Sequence, residues 1–116
     1  IDNPDSITQS WNEQKFRDMF GFYKEVFYSD FVCSQLNQEE LQISQLYYVN
    51  GLTHILASLY KSKLDKKYID ITNEVKQELL KNSVSLSQMK DQPNKLKYIL
   101  FRLKVLKLAF SIQNIF

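Results

Sequence analysis

The sequence predicts an all-α domain, a compact bundle of four or five helices around a hydrophobic C-terminal helix, with room for one or two short strands. Three observations carry this expectation. Apolar residues recur at i, i+3, i+4 and i+7 along most of the chain, the period of a helix with one buried face. Cap residues followed three positions later by glutamate stand before two of these runs. Only two glycines and two prolines occur in 116 residues, too few for a turn-dense β-sandwich or a glycine-rich phosphate loop. With 44% apolar residues, no internal repeat and no dividing linker, residues 1–116 read as a single helical domain. The opening at Ile1 rather than Met reads as a piece of a longer protein.

The first helix is expected from about 11 to 28. Ser10 precedes Glu13 by three positions, a capping pattern, and Phe16, Met19, Phe20, Tyr23, Val26 and Phe27 share one face. Phe31, Val32 and Leu36 then form an apolar connection to the next signal, Asn37 with Glu40 three residues on. Leu41, Leu46, Val49, Leu52, Leu56, Leu59 and Tyr60 trace a broad apolar face toward Leu64. Asn50-Gly51 lies inside it. A mid-helix glycine costs about 1 kcal/mol against alanine, so a kink or break is expected there.

Residues 64–81 support two readings. Leu64, Tyr68, Ile71, Val75 and Leu79 keep helical spacing throughout, which favours helix. Ile69 and Ile71 around Asp70, ahead of Thr72 as a cap, would instead make a short strand leading into a helix at 73–81. Ser83 to Ser87 alternates strictly but is short for a strand. The last helix is expected to run from 94 to 112, with Pro93 in its first turn and Asp91 as its cap. Lys97, Lys104, Lys107 and Ser111 fall on one polar arc, and most other positions are apolar. Such a helix must be buried nearly all round, as the centre of the bundle or under another chain.

Charge is unevenly distributed. Residues 1–31 carry six acids and three bases, while residues 92–116 carry five bases and no acid. The simplest expectation is that the two ends pack together and neutralise one another.

Few constellations suggest chemistry. Cys33 and His54 are the only cysteine and histidine, which leaves too few ligands for a zinc site and no disulfide. A half-buried histidine and an inert core cysteine account for them better than a catalytic pair. Glu74 and Glu78 share a helix face, but Lys76, Gln77 and Lys81 surround them as on a solvated surface. No nucleotide-binding, hydrolase or metalloprotease motif occurs, so neither an enzyme nor a cofactor is expected. No signal peptide opens the chain, and Arg102, Lys104 and Lys107 interrupt its most apolar stretch, so no membrane span is expected and the location reads as cytoplasm or nucleus.

Two function classes are left. The first is a non-catalytic protein–protein interaction module within a larger assembly, binding another protein or a second copy of itself. Six aromatics lie between Phe20 and Phe31, more than one helix face can bury, and Phe22, Tyr28, Tyr47 and Tyr48 fall wholly or partly off the main stripes. These four are the candidate partner-binding residues. The alternative is a nucleic-acid-binding helical or winged-helix domain. It would use the lysine cluster Lys61, Lys63, Lys66 and Lys67 together with Lys95, Lys97 and Arg102, with Asn94 and Tyr98 also facing the groove. The long 82–92 connection and the apolar character of the last helix count against it.

Overall fold

The computed structural model describes residues 12–112 and is all-α, with no strand among the described residues. In chain order the helices are α1 (Glu13–Phe27), α2 (Asp30–Gln35), α3 (Gln38–Lys61), α4 (Ile69–Lys81), α5 (Lys95–Arg102) and α6 (Leu106–Ile112). Ser10 and the Asn3-Pro4-Asp5 turn lie outside the described residues, as do the side chains of Ser111 and Ile112. The cap of α1 is Asn12, whose side chain accepts from the Lys15 amide at 2.8 Å. At α3 the expected box forms. Asn37 accepts from the Glu40 amide at 2.8 Å, and the Glu40 carboxylate accepts from the Asn37 amide at 2.9 Å.

The centre of the bundle is α3, not the C-terminal segment. Helices α1, α4, α5 and α6 all pack on it, and Tyr48, Val49, Leu52, Ile55, Leu56 and Leu59 are fully buried along its length. It runs unbroken through Asn50-Gly51, contrary to the expected kink. The reason is packing. A Cβ at Gly51 would lie 2.8 Å from Cγ of Tyr23, so the missing side chain lets the Tyr23 ring of α1 press against the α3 backbone.

The segment 94–112 is two short helices rather than one. The chain stops at Arg102, turns through Leu103 and Lys104, and restarts at Leu106. Its cap position is Asn94, without a side-chain capping bond, rather than Asp91. Breaking the helix resets which positions face inward: Tyr98 is fully buried, Leu106 and Phe110 are buried, and Leu96, Leu103 and Leu108 stay exposed. Among the described residues, the helices toward the two ends do not form a packed pair either. α1 packs on α2, α3 and α4, while α5 and α6 reach α3 and each other. Lys107 of α6 pairs instead with Asp65 of the α3–α4 connection, at 2.9 Å.

Among the described residues neither segment with a possible strand reading forms one, and the favoured helix is present from Ile69. Residues 69–81 are helix, and Thr72, inside α4 rather than capping it, donates to the carbonyls of Tyr68 and Asp65. Those bonds tie the preceding turn to the helix start. Ser83–Ser87 has no partner strand; Tyr98 instead anchors this connection. Its hydroxyl donates to the Val84 carbonyl and accepts from the Val84 amide, at 3.1 and 3.0 Å. Without strands the winged-helix arrangement has no wing.

Helices α3 and α5 end identically. Leu64 N–H reaches the Leu59 carbonyl and Lys63 N–H the Tyr60 carbonyl; Val105 and Lys104 repeat this on Leu100 and Phe101. These are Schellman closures, which normally place glycine at the left-handed position. Here the position is lysine both times, Lys63 at φ 61° and Lys104 at φ 63°.

Candidate functional site

Two surfaces concentrate the exposed chemistry. The first lies where α1 and α3 meet. Phe22 stands 61% exposed on α1 and Tyr47 46% exposed on α3. The rings between them form a continuous row: Phe22 to Tyr23 at 5.8 Å, Tyr23 to Phe27 at 6.4 Å, and Phe27 to Tyr47 at 5.7 Å. Val26 and Ile43, one turn from Phe22 and Tyr47, are exposed as well, and Phe31 on α2 is 74% exposed. Sequence reasoning placed Val26 on the buried stripe and Phe31 in a connection. Their exposure depends on how the helices pack together, which no local pattern records.

Of the four expected partner-binding residues, Phe22 and Tyr47 are therefore on the surface. Tyr48 is not: it is fully buried, and its hydroxyl donates to Glu78 Oε1 at 2.7 Å. Burial, followed by that bond, pushes the Tyr48 phenol far above its ordinary value. Tyr28 is half-buried and stacks on Tyr48 at 4.8 Å with the planes 4° apart. The α3 position one residue after Tyr47 turns inward, so the pair belongs to the core rather than to an interface.

The second surface is a groove of about 510 Å³ between the end of α4 and the α5–α6 corner. Tyr60, Leu80, Phe101 and Leu106 give it an apolar lining, and Lys76, Arg102, Lys104 and Lys107 supply cations. Arg102 is held in place, donating to the Val84 carbonyl at 3.1 Å and to the Tyr98 hydroxyl at 3.2 Å. Tyr60 also lines a neighbouring depression with Lys63, Asp65 and Lys66. Burial, and then the Asp65 carboxylate, raise its phenol above the usual value. Leu80 was the available signal in the sequence, an apolar residue off the stripe of Ile71, Val75 and Leu79.

The expected nucleic-acid residues divide among separate places. Lys61 and Lys97 line a third depression with His54, Ser58 and Ser62. Lys63 and Lys66 flank Asp65, Lys67 sits 5.6 Å over the Tyr68 ring, Arg102 lies in the groove, and Lys95 is exposed at the start of α5. Tyr98 is fully buried, and Asn94 is buried against Asn50, so neither faces a groove.

The remaining titratable groups have structural surroundings. Burial, and then Lys97, push the His54 imidazole below its ordinary value. Cys33 is half-buried on α2, which packs on α1. Glu74 and Glu78 engage separate partners, Arg17 at 3.0 Å and the Tyr48 hydroxyl. Glu74 is the main reason the Arg17 guanidinium is held above its ordinary value. Among the described residues no three His, Cys, Asp or Glu side chains gather as metal ligands, and no helix is long and apolar enough to cross a membrane. No protein-family model matches the chain, and comparisons with curated proteins and with solved structures find no match either.

Proposed function

We propose that this chain is a non-catalytic protein–protein interaction module, a subunit or domain of a larger assembly. The observation that carries the reading is the row of rings from Phe22 to Tyr47, flanked by exposed Val26, Ile43 and Phe31. Aromatic side chains bring large contact area at small entropic cost and are enriched at interface cores. Here they lie on two helices clamped by the Gly51–Tyr23 contact, so the surface is already organised before a partner arrives.

The test is the double variant Phe22→Asp/Tyr47→Asp, compared with wild type by cross-linking in the cells that make the protein and by sedimentation of the purified domain. Stability should change by no more than about 0.5 kcal/mol, because both rings are exposed. Cross-links to a partner protein, or a concentration-dependent dimer mass, should be lost. A variant that keeps every association of the wild type would sink the reading.

Nucleic-acid binding is the weaker reading, because its expected lysines point into several depressions rather than along one stripe. It requires binding to duplex DNA at about 50 mM salt that weakens steeply as salt rises.

A further inference from the structure

We infer that the groove between α4 and the α5–α6 corner is a second docking site, and that its occupant is an acidic amphipathic helix of a partner protein. The proposal rests on the interaction-module reading but places a different partner chemistry on a different surface. Charge complementarity names the occupant. Four cations line the groove, and no carboxylate does. The acid nearest by pairing, Asp65, is engaged with Lys107, and among the described residues no carboxylate pairs with Lys76 or Lys104. A ligand carrying acids beside the rim would supply what the protein does not.

The lining selects against a bare polyanion. Tyr60, Leu80, Phe101 and Leu106 are apolar or aromatic, and Leu80 and the adjacent Leu103 are each more than 60% exposed. A phosphate backbone would leave these surfaces wet. A helix with apolar residues at i, i+3 or i+4, and i+7 would cover them while its flanking acids meet the lysines. A volume of about 510 Å³ admits a few side chains rather than a whole helix, so the ligand lies across the groove and inserts its anchors.

Two further features fit this use. Arg102 is fixed by the Val84 carbonyl and the Tyr98 hydroxyl, so little order is lost when it meets a carboxylate. Lys104 holds the left-handed φ of 63°, where glycine would be unstrained. The structure thus keeps a cation at the groove rim despite a backbone cost.

The test uses the whole chain as bait for a displayed library of random peptides, each about four helical turns long, at low salt. Peptides retained by wild type but not by Leu80→Asp/Lys104→Glu are synthesised and titrated. The expected ligands carry Asp or Glu around apolar residues at helical spacing. They should bind wild type and Phe22→Asp/Tyr47→Asp equally and lose at least tenfold against Lys76→Glu/Lys104→Glu. Peptides with the acids changed to lysine should regain affinity for that charge-reversed variant. The substituted side chains are on or near the surface, and circular dichroism of each variant checks that the fold is kept.

Ligands without acids, affinity unchanged in the charge-reversed variant, or no retained peptide would each overturn the proposal. Selected peptides that bind Lys76→Glu/Lys104→Glu as they bind wild type but fail on Phe22→Asp/Tyr47→Asp would also overturn it while leaving the aromatic-face reading intact. If a duplex DNA is bound in a manner abolished by Lys76→Glu/Lys104→Glu, and no acidic peptide competes, the groove is a nucleic-acid site and the proposal fails.

Discussion

Gly51 of α3 lies against the ring of Tyr23 of α1, where a methyl group would come within 2.8–2.9 Å of three ring carbons. The contact sets how closely the two helices approach, and with it the position of the exposed rings on either side. Alanine is the better helix former by about 1 kcal/mol, yet Gly51→Ala should destabilise by about 1–3 kcal/mol because the ring root must move. In a Tyr23→Ala background the sign should reverse, to a gain of up to about 1 kcal/mol. Urea unfolding of the four members of this cycle measures the coupling.

The tyrosines at 47 and 48 should behave oppositely. Tyr48→Ala removes a fully buried ring, its stack on Tyr28 and its bond to Glu78, and should cost about 3–5 kcal/mol. Tyr47→Ala, at a half-exposed ring, should change stability by no more than about 1 kcal/mol. Thermal melts of both variants decide whether the core and the exposed aromatic face are correctly divided.

Lys63 and Lys104 occupy left-handed positions that glycine fills without strain. Lys63→Gly and Lys104→Gly should each stabilise by about 0.5–1 kcal/mol, the relief of strain exceeding the added freedom of the unfolded chain. Alanine at either position should bring no such gain, since its Cβ keeps the penalty. A Lys104→Gly variant that is more stable yet weaker for acidic peptides would separate the backbone cost from the use of the cation.

His54 gives the pH dependence a sign. Its pKa is lower in the folded chain than in the unfolded one, chiefly through burial and secondarily through Lys97. The unfolded state therefore binds the proton more readily, and stability rises with pH across this window. The contribution is complete above the unfolded value of about 6.5 and is lost as pH falls toward the folded one. His54→Gln should flatten this part of the stability profile. In Lys97→Met, the sole imidazole should titrate higher by NMR yet below an unperturbed histidine, because burial is the larger cause.

How much was legible before folding depended on the kind of evidence. Asn37 and Glu40 announced the start of α3 because a capping box is made within four residues. The stripe Ile71, Val75 and Leu79 announced α4 because helical phase is local. Local rules misjudged Gly51, whose partner Tyr23 is on another helix. They misjudged the C-terminal segment too, where apolar residues on every side suggested one buried rod. The α5–α6 turn instead divides the segment into two short helices with different inward faces. Of the two candidate surfaces, the surplus of aromatics near α1 could be read directly. Which of them stay outside could not.

The sequence by itself determined an all-α domain, most of its helices and an excess of aromatic and apolar side chains, since propensity, caps and period act over a few residues. Only the tertiary structure decided that α3 is the centre, that Tyr48 turns inward while Tyr47 does not, and that lysines from α4, the α5–α6 turn and α6 meet Arg102 of α5 around one apolar groove. Each of these depends on how helices distant in the chain pack together. Burial and proximity between such elements are properties of the assembled bundle, and no single helix carries them.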